Sequence, residues 1–287
     1  MSGHALDTLS NLTLESMHAG TPILALRHGI PSGSDVFAKL EFFSLTGSVK
    51  DRIVSCEMSK AISLGYRGMA IASTGNMATS TAAFSNIWGF PCQIFMPAGT
   101  ATEKLRMVQS FGVTATLVDG DYEAAVVVAR QYAKRYNYFF GGLSKYRFEG
   151  FKAIGHEIAA LEFDNVVIPI GDGTTFVGTW MGAKERCGEL GLPMPRFIGV
   201  RYGDEGVQAI AIDHPYDINQ CNIAVEETGG AILTSTQTDL ERARKTMYSN
   251  GIYAEDVACL TLGPILDGMC RGKTLCLITG TALKNNA

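Results

Sequence analysis

From residue 66 onward the chain alternates apolar strand-like runs, glycine-containing loops and helical stretches, and nothing else in it constrains the fold so strongly. Residues 68–72, 91–96 and 113–118 read as short buried strands. They are separated by helical patterns over 81–88, 102–111 and 122–135. A second run follows: helix 150–161, strand 165–170, helix 176–190, strand 195–201, strand 230–234, helices 238–248 and 256–268, and a terminal strand 274–278. Alternation of this kind predicts an α/β protein whose parallel sheets are covered by helices. The simplest division is two lobes, 1–145 and 146–287, with residues 1–30 able to pack on the second. A ligand is then expected in the cleft between lobes.

At 287 residues the chain has room for two cores, and 46% hydrophobic against 18% charged residues marks it as globular. A net charge of −4 with no basic patch argues against nucleic acid as a partner. No apolar run is long enough for a membrane span. The first twenty residues have neither the basic start nor the apolar centre of a secretory signal, and 1–20 reads as a helical lead-in capped at Asn11. The seven cysteines are odd in number and lack C-x-x-C spacing, which predicts buried reduced thiols in a cytoplasmic protein rather than disulfides or a metal centre.

Three junctions carry chemistry. The first is Ser44-Leu45-Thr46-Gly47-Ser48-Val49-Lys50-Asp51-Arg52, where a lysine stands between an apolar strand-like run (36–43) and a helical pattern (53–62). A desolvated lysine there can form a Schiff base with a carbonyl, whereas a solvated one would pair with Asp51 or Glu57. The second is Ser73-Thr74-Gly75-Asn76, where hydroxyls, a glycine and an amide at a helix start suit a carboxylate and equally suit an ordinary cap. The third is Gly171-Asp172-Gly173-Thr174-Thr175, between an apolar strand and a helix. It reads as a phosphate cradle, as a dinucleotide loop with Asp204 on the ribose, or as a structural turn.

Taken together these stretches resemble the pyridoxal-phosphate enzymes of fold type II. Leu40-Glu41-Phe42-Phe43 with Ser48-Val49-Lys50-Asp51-Arg52-Ile53 is similar to cysteine synthase, and Thr46-Gly47-Ser48 to threonine synthase. Tyr146-Arg147-Phe148-Glu149-Gly150-Phe151-Lys152, Asn250-Gly251-Ile252-Tyr253-Ala254-Glu255 and the ending Thr279-Gly280-Thr281-Ala282-Leu283-Lys284 also resemble threonine synthases. The resemblance implies the tryptophan synthase β-subunit-like fold, with two open twisted three-layer αβα domains and the active site between them. It implies pyridoxal 5'-phosphate as cofactor, a small amino-acid substrate and a cytoplasmic homodimer. By the same resemblance Lys50 is the Schiff-base lysine, and Gly171, Gly173, Thr174 and Thr175 hold the cofactor phosphate. Asn76 contacts the ring hydroxyl and Thr279 the ring nitrogen. Ser73, Thr74 and the Met77 amide hold the substrate carboxylate, with Arg147 on a substrate phosphate.

Several positions depart from the family pattern. Ser44-Leu45 replaces Asn-Pro, Met77 a threonine, Ala282 a glycine, and Gly141-Gly142 the Asn-Ser pair that gives threonine synthases two phosphate donors; residues 201–209 are shortened. The implied reaction is elimination or replacement of a β- or γ-substituent, threonine synthase-like, with cysteine synthase-like β-replacement as the alternative. A non-catalytic relative and a nicotinamide-dependent dehydrogenase are the rivals from other classes.

Overall fold

The computed structural model describes residues 20–203 and 215–286. The expected helical lead-in with its Asn11 cap, and Asp204, lie outside the described residues. Two compact units emerge, one made of Ser44–Gly150 and the other of Gly20–Phe43 together with Phe151–Asn286. The segment 20–43 groups with the second unit because its strands hydrogen-bond there; a division near 145, with 1–30 able to pack on the second lobe, allowed this for 20–30 and put 31–43 in the first.

In the first unit a helix, α1 (Lys50–Ser63), precedes β3 (Met69–Ala72), α2 (Asn76–Trp88), β4 (Cys92–Pro97), α3 (Thr102–Ser110), β5 (Thr116–Val118), α4 (Tyr122–Tyr136) and β6 (Phe139–Phe140); β1 and β2 belong to the other unit. The sheet is wholly parallel in the order β5-β4-β3-β6. Its core follows from helical spacing: Ala125, Val126, Ala129 and Ala133 of α4 fall on one face and pack against Ala70, Ala72 and Phe95. Asp121 caps that helix, accepting from the Ala124 amide at 3.0 Å.

The second unit comprises β1 (Ile23–Ala25), β2 (Asp35–Leu40), α5 (Glu149–Ala159, whose first residues lie in the other unit), β7 (Asn165–Pro169), α6 (Thr174–Leu190), β8 (Arg196–Tyr202), α7 (Ile218–Thr228), β9 (Ala231–Ser235), α8 (Gln237–Ser249), α9 (Asp256–Cys259), α10 (Gly263–Leu266) and β10 (Lys273–Ile278). Its sheet runs β1-β2-β10-β7-β8-β9, parallel except for the antiparallel edge strand β1. Val36, Ala38, Leu40, Val167, Ile198, Val200 and Ile278 pack with Leu240, Ala243 and Met247 of α8. The single helix expected over 256–268 is broken. α9 runs into a 3₁₀ turn, Leu260–Leu262, and α10 restarts at Gly263-Pro264, where proline has no N–H to continue the ladder. Among the described residues no helix is long and apolar enough to cross a membrane, and the seven cysteines are unbridged.

Candidate active site

Both sheets have the same topological device. In the first unit the chain passes from β3 outward to β4 and β5, and β6 then lies on the other side of β3. In the second it passes from β7 to β8 and β9, and β10 lies on the other side of β7. Loops leaving the carboxyl ends of neighbouring strands diverge at such switch points and open a crevice for ligands. In the first unit those loops are 73–77 and 141–147; in the second they are 171–175 and 279–281. Every site residue expected from sequence other than Lys50 lies in one of these four segments.

Lys50 itself opens α1, half-buried, behind the turn that contains Gly47. The turn is held by Asp51, which is fully buried and accepts from the Thr46 amide at 2.7 Å, the Thr46 hydroxyl at 2.6 Å and the Ser80 hydroxyl at 2.6 Å. Since Ser80 is on α2, this carboxylate ties the lysine turn, α1 and α2 into one rigid corner. Such a buried anion is stable only because its oxygens are bonded in this way.

At the start of α2, Gly75 takes the N-cap position and no side chain caps the helix. Ser73 and Thr74 are half-buried, and the Ser73 hydroxyl accepts from the Gly75 amide at 3.3 Å. A helix N-terminus attracts anions through its backbone amides and dipole. The Met77 side chain turns inward, and a Cβ on Gly142 would lie 3.6 Å from its Cε. The two loops of the first switch point therefore touch.

Beside them stands a residue that sequence reading considered only as a partner for Lys50. Glu57, fully buried on α1, accepts from the Gly142 amide at 2.7 Å and from the Ser144 hydroxyl at 2.6 Å. Burial raises its carboxyl to about 7, against the opposing pull of those hydrogen bonds and of the Arg147 guanidinium. Arg147 also donates to the Ser144 carbonyl at 3.0 Å and lies 4.3 Å from the Phe148 ring centre.

In the second unit Gly173 caps the 17-residue helix α6 with φ +95°, a conformation open to glycine at little cost. A Cβ there would also fall 2.9 Å from Cys221 Sγ and 3.1 Å from Asp217 Cβ. The Thr174 amide donates to the Asp172 carboxylate at 2.9 Å, so the helix start already holds an anionic oxygen. Around Gly171 a Cβ would meet nothing within 4 Å. An open loop, a helix N-terminus and two threonines fit a phosphate group. Asp217, buried, accepts from the Thr174 hydroxyl at 2.9 Å, and its amide donates to the Asp172 carbonyl at 3.0 Å. No motif marks Asp217; its place one residue before a helical run was the only available signal. Burial, then the nearby Asp217 and Asp172 carboxylates, push the Cys221 thiol up to about 12, so it stays protonated. Thr279, half-buried, follows β10 directly, and the Glu255 amide donates to the Gly280 carbonyl at 3.0 Å.

The model of the family "Pyridoxal-phosphate dependent enzyme" matches residues 14–280. The chain is 26% identical to a threonine synthase of Synechocystis sp. over 94% of its own length and 78% of the relative's. It is 27% identical to that of Methanosarcina acetivorans over 93% and 75%. Among solved structures, cysteine synthase from Entamoeba histolytica superposes with a TM-score of 0.80 at 21% identity, covering 96% of this chain and 88% of the other. An O-ureido-L-serine synthase superposes with a TM-score of 0.81 at 18% identity, covering 96% and 93%.

Proposed function

The chain belongs to the pyridoxal-phosphate-dependent enzymes of fold type II, and from that premise we propose that it eliminates or replaces a β- or γ-substituent on a small amino acid, as a lyase or transferase of threonine synthase-like descent. The observation that carries this reading is the placement of the expected site residues on loops at the two switch points, with Lys50 opening the helix α1. The family assignment removes the nicotinamide reading of the 171–175 loop.

Bound pyridoxal phosphate supplies an electron sink for negative charge at Cα. Gly171, Gly173, Thr174 and Thr175 would hold its phosphate, Asn76 its ring hydroxyl and Thr279 its ring nitrogen. Because the Thr279 hydroxyl is neutral, it does not keep that nitrogen protonated, which favours elimination and replacement over transamination. Ser73, Thr74 and the Met77 amide orient the substrate carboxylate on the dipole of α2. The Lys50 amine would hold the cofactor, and once free it would serve as the general base for the proton at Cα. The rigid corner made by Asp51 keeps that amine in place between the two roles. Arg147 faces the distal end of the substrate.

Cysteine synthase-like β-replacement is the second reading, favoured by Gly141-Gly142, which provide no side-chain donors for a substrate phosphate. The first test is the absorption spectrum of the purified protein, with borohydride reduction and peptide mapping. A visible band, with the reduced cofactor trapped on Lys50 and lost in Lys50→Ala, is expected. A colourless protein that takes up no pyridoxal phosphate would overturn the reading.

A further inference from the structure

The two glycines have different causes: Gly142 takes φ +83°, which favours glycine, and Gly141 is crowded. A Cβ on Gly141 would lie 1.9 Å from Met69 Cε, 3.0 Å from Glu57 Oε2 and 3.2 Å from Ile71 Cγ2. The space a side chain would need is filled by a methionine and a carboxylate. Glu57 also engages two of the segment's donors and one of its cations. The Gly142 amide and Ser144 hydroxyl bond to its two oxygens, and the positive charge of Arg147 is exerted on it. Seven residues separate Lys50 from Glu57 on α1, about 20° short of two turns and about 10 Å along the axis. The anion therefore lies on the lysine's face of the helix, beside the segment that touches Met77.

We propose that Glu57 sets selectivity for the charge of the substrate's leaving group: it neutralises Arg147, occupies the Gly142 and Ser144 donors, and so favours neutral leaving groups over phosphorylated ones. This rests on the reaction proposed above and assigns its substrate class. Glu57 acts through the 141–147 segment and is a positioning residue. Several charged groups surround it, and Arg147 is the one whose charge acts on it directly. Arg147 faces it from the segment, with Lys145 and Lys60 each 5.1 Å from the Tyr146 ring centre. Lys50, Asp51, Arg52 and Lys60 share its helix, whereas α2 and β3, packed nearby, contain no titratable residue.

The test uses the cofactor-loaded enzyme and its Glu57→Gln variant, which keeps an acceptor for Gly142 and a donor for Ser144 while removing the charge. Apparent Kd is read from the initial change in the visible band on rapid mixing with the O-acetyl and O-phospho esters of L-serine and L-homoserine at pH 8. The wild type is expected to bind an acetyl ester about tenfold more tightly than the matching phospho ester, and the variant to lose most of that ratio by binding the phospho ester more tightly. Should the variant fail to fold, wild type decides the matter with O-sulfo-L-serine, whose charge is fixed. Its affinity relative to the acetyl ester rises from pH 8 to pH 6 as Glu57 takes up a proton. An unchanged ratio in the variant, a wild type that prefers the phospho ester, or a flat pH profile overturns the inference alone. A cofactor band that responds to no amino acid overturns the proposed reaction together with it.

Discussion

A single carboxylate can cost a fold stability and still shape its site, and Glu57 is placed to do both. Its folded value of about 7 stands above the ordinary 4.5, so between those pH values the folded state binds the extra proton. Stability from this group is therefore full below about 4.5 and declines as pH rises through 7, by about 3 kcal/mol from a shift of this order. Glu57→Gln removes the titration. Urea unfolding should place the variant's stability relative to wild type higher at pH 8 than at pH 5.5, by about 2 kcal/mol. Equal differences at both pH values would mean that the carboxyl ionises without penalty. The sequence could not show this residue's part. Its partners Gly142 and Ser144 are 85 and 87 positions away, and only the pairing of β3 with β6 brings their segment to α1. Lys50, Asn76 and the 171–175 loop were legible because each lies where a periodic pattern changes, a local signal that needs no topology.

The same contrast holds for whole elements. Strands and helices flanked by glycine loops were readable, since burial on both sides makes parallel strands continuously apolar. The two-residue β6 was too short to leave a pattern, and the turn from α9 to α10 was hidden in an apolar run that only Gly263-Pro264 interrupts. Where an element begins matters most at α6, whose first turn is the proposed phosphate site. Gly173→Ala would set a Cβ against Cys221 and Asp217 and force an L-residue to φ +95°, a strain of about 1–3 kcal/mol. Relief requires the loop to shift, carrying the Thr174 and Thr175 donors with it. The variant should melt several degrees lower and retain less pyridoxal phosphate after dialysis. Full cofactor retention with a lowered melting point would mean that the loop is structural only.

At the scale of the molecule, the second unit is closed by a segment from far away in sequence. β2 lies between β1 and β10, paired with β10 from Val36 opposite Thr274 to Leu40 opposite Ile278, so the unit's sheet is incomplete without residues 20–43. A division near 145 follows chain order, but hydrogen bonding does not. A buried polar network seals the join: Lys39, 1% exposed, bonds Glu157 of α5 and the Thr21 hydroxyl at 2.7 Å, with Glu41, 0% exposed, at 3.5 Å. Lys39→Met keeps the bulk but removes the buried cation that Glu41 and Glu157 face, a change that costs about 3–5 kcal/mol. Because each unit has its own sheet and core, the loss should be regional. Hydrogen exchange of the variant should show faster amides in β1, β2 and β10, with β3, β4 and β5 holding their wild-type protection. Equal loss across both sheets would instead make the chain one cooperative body.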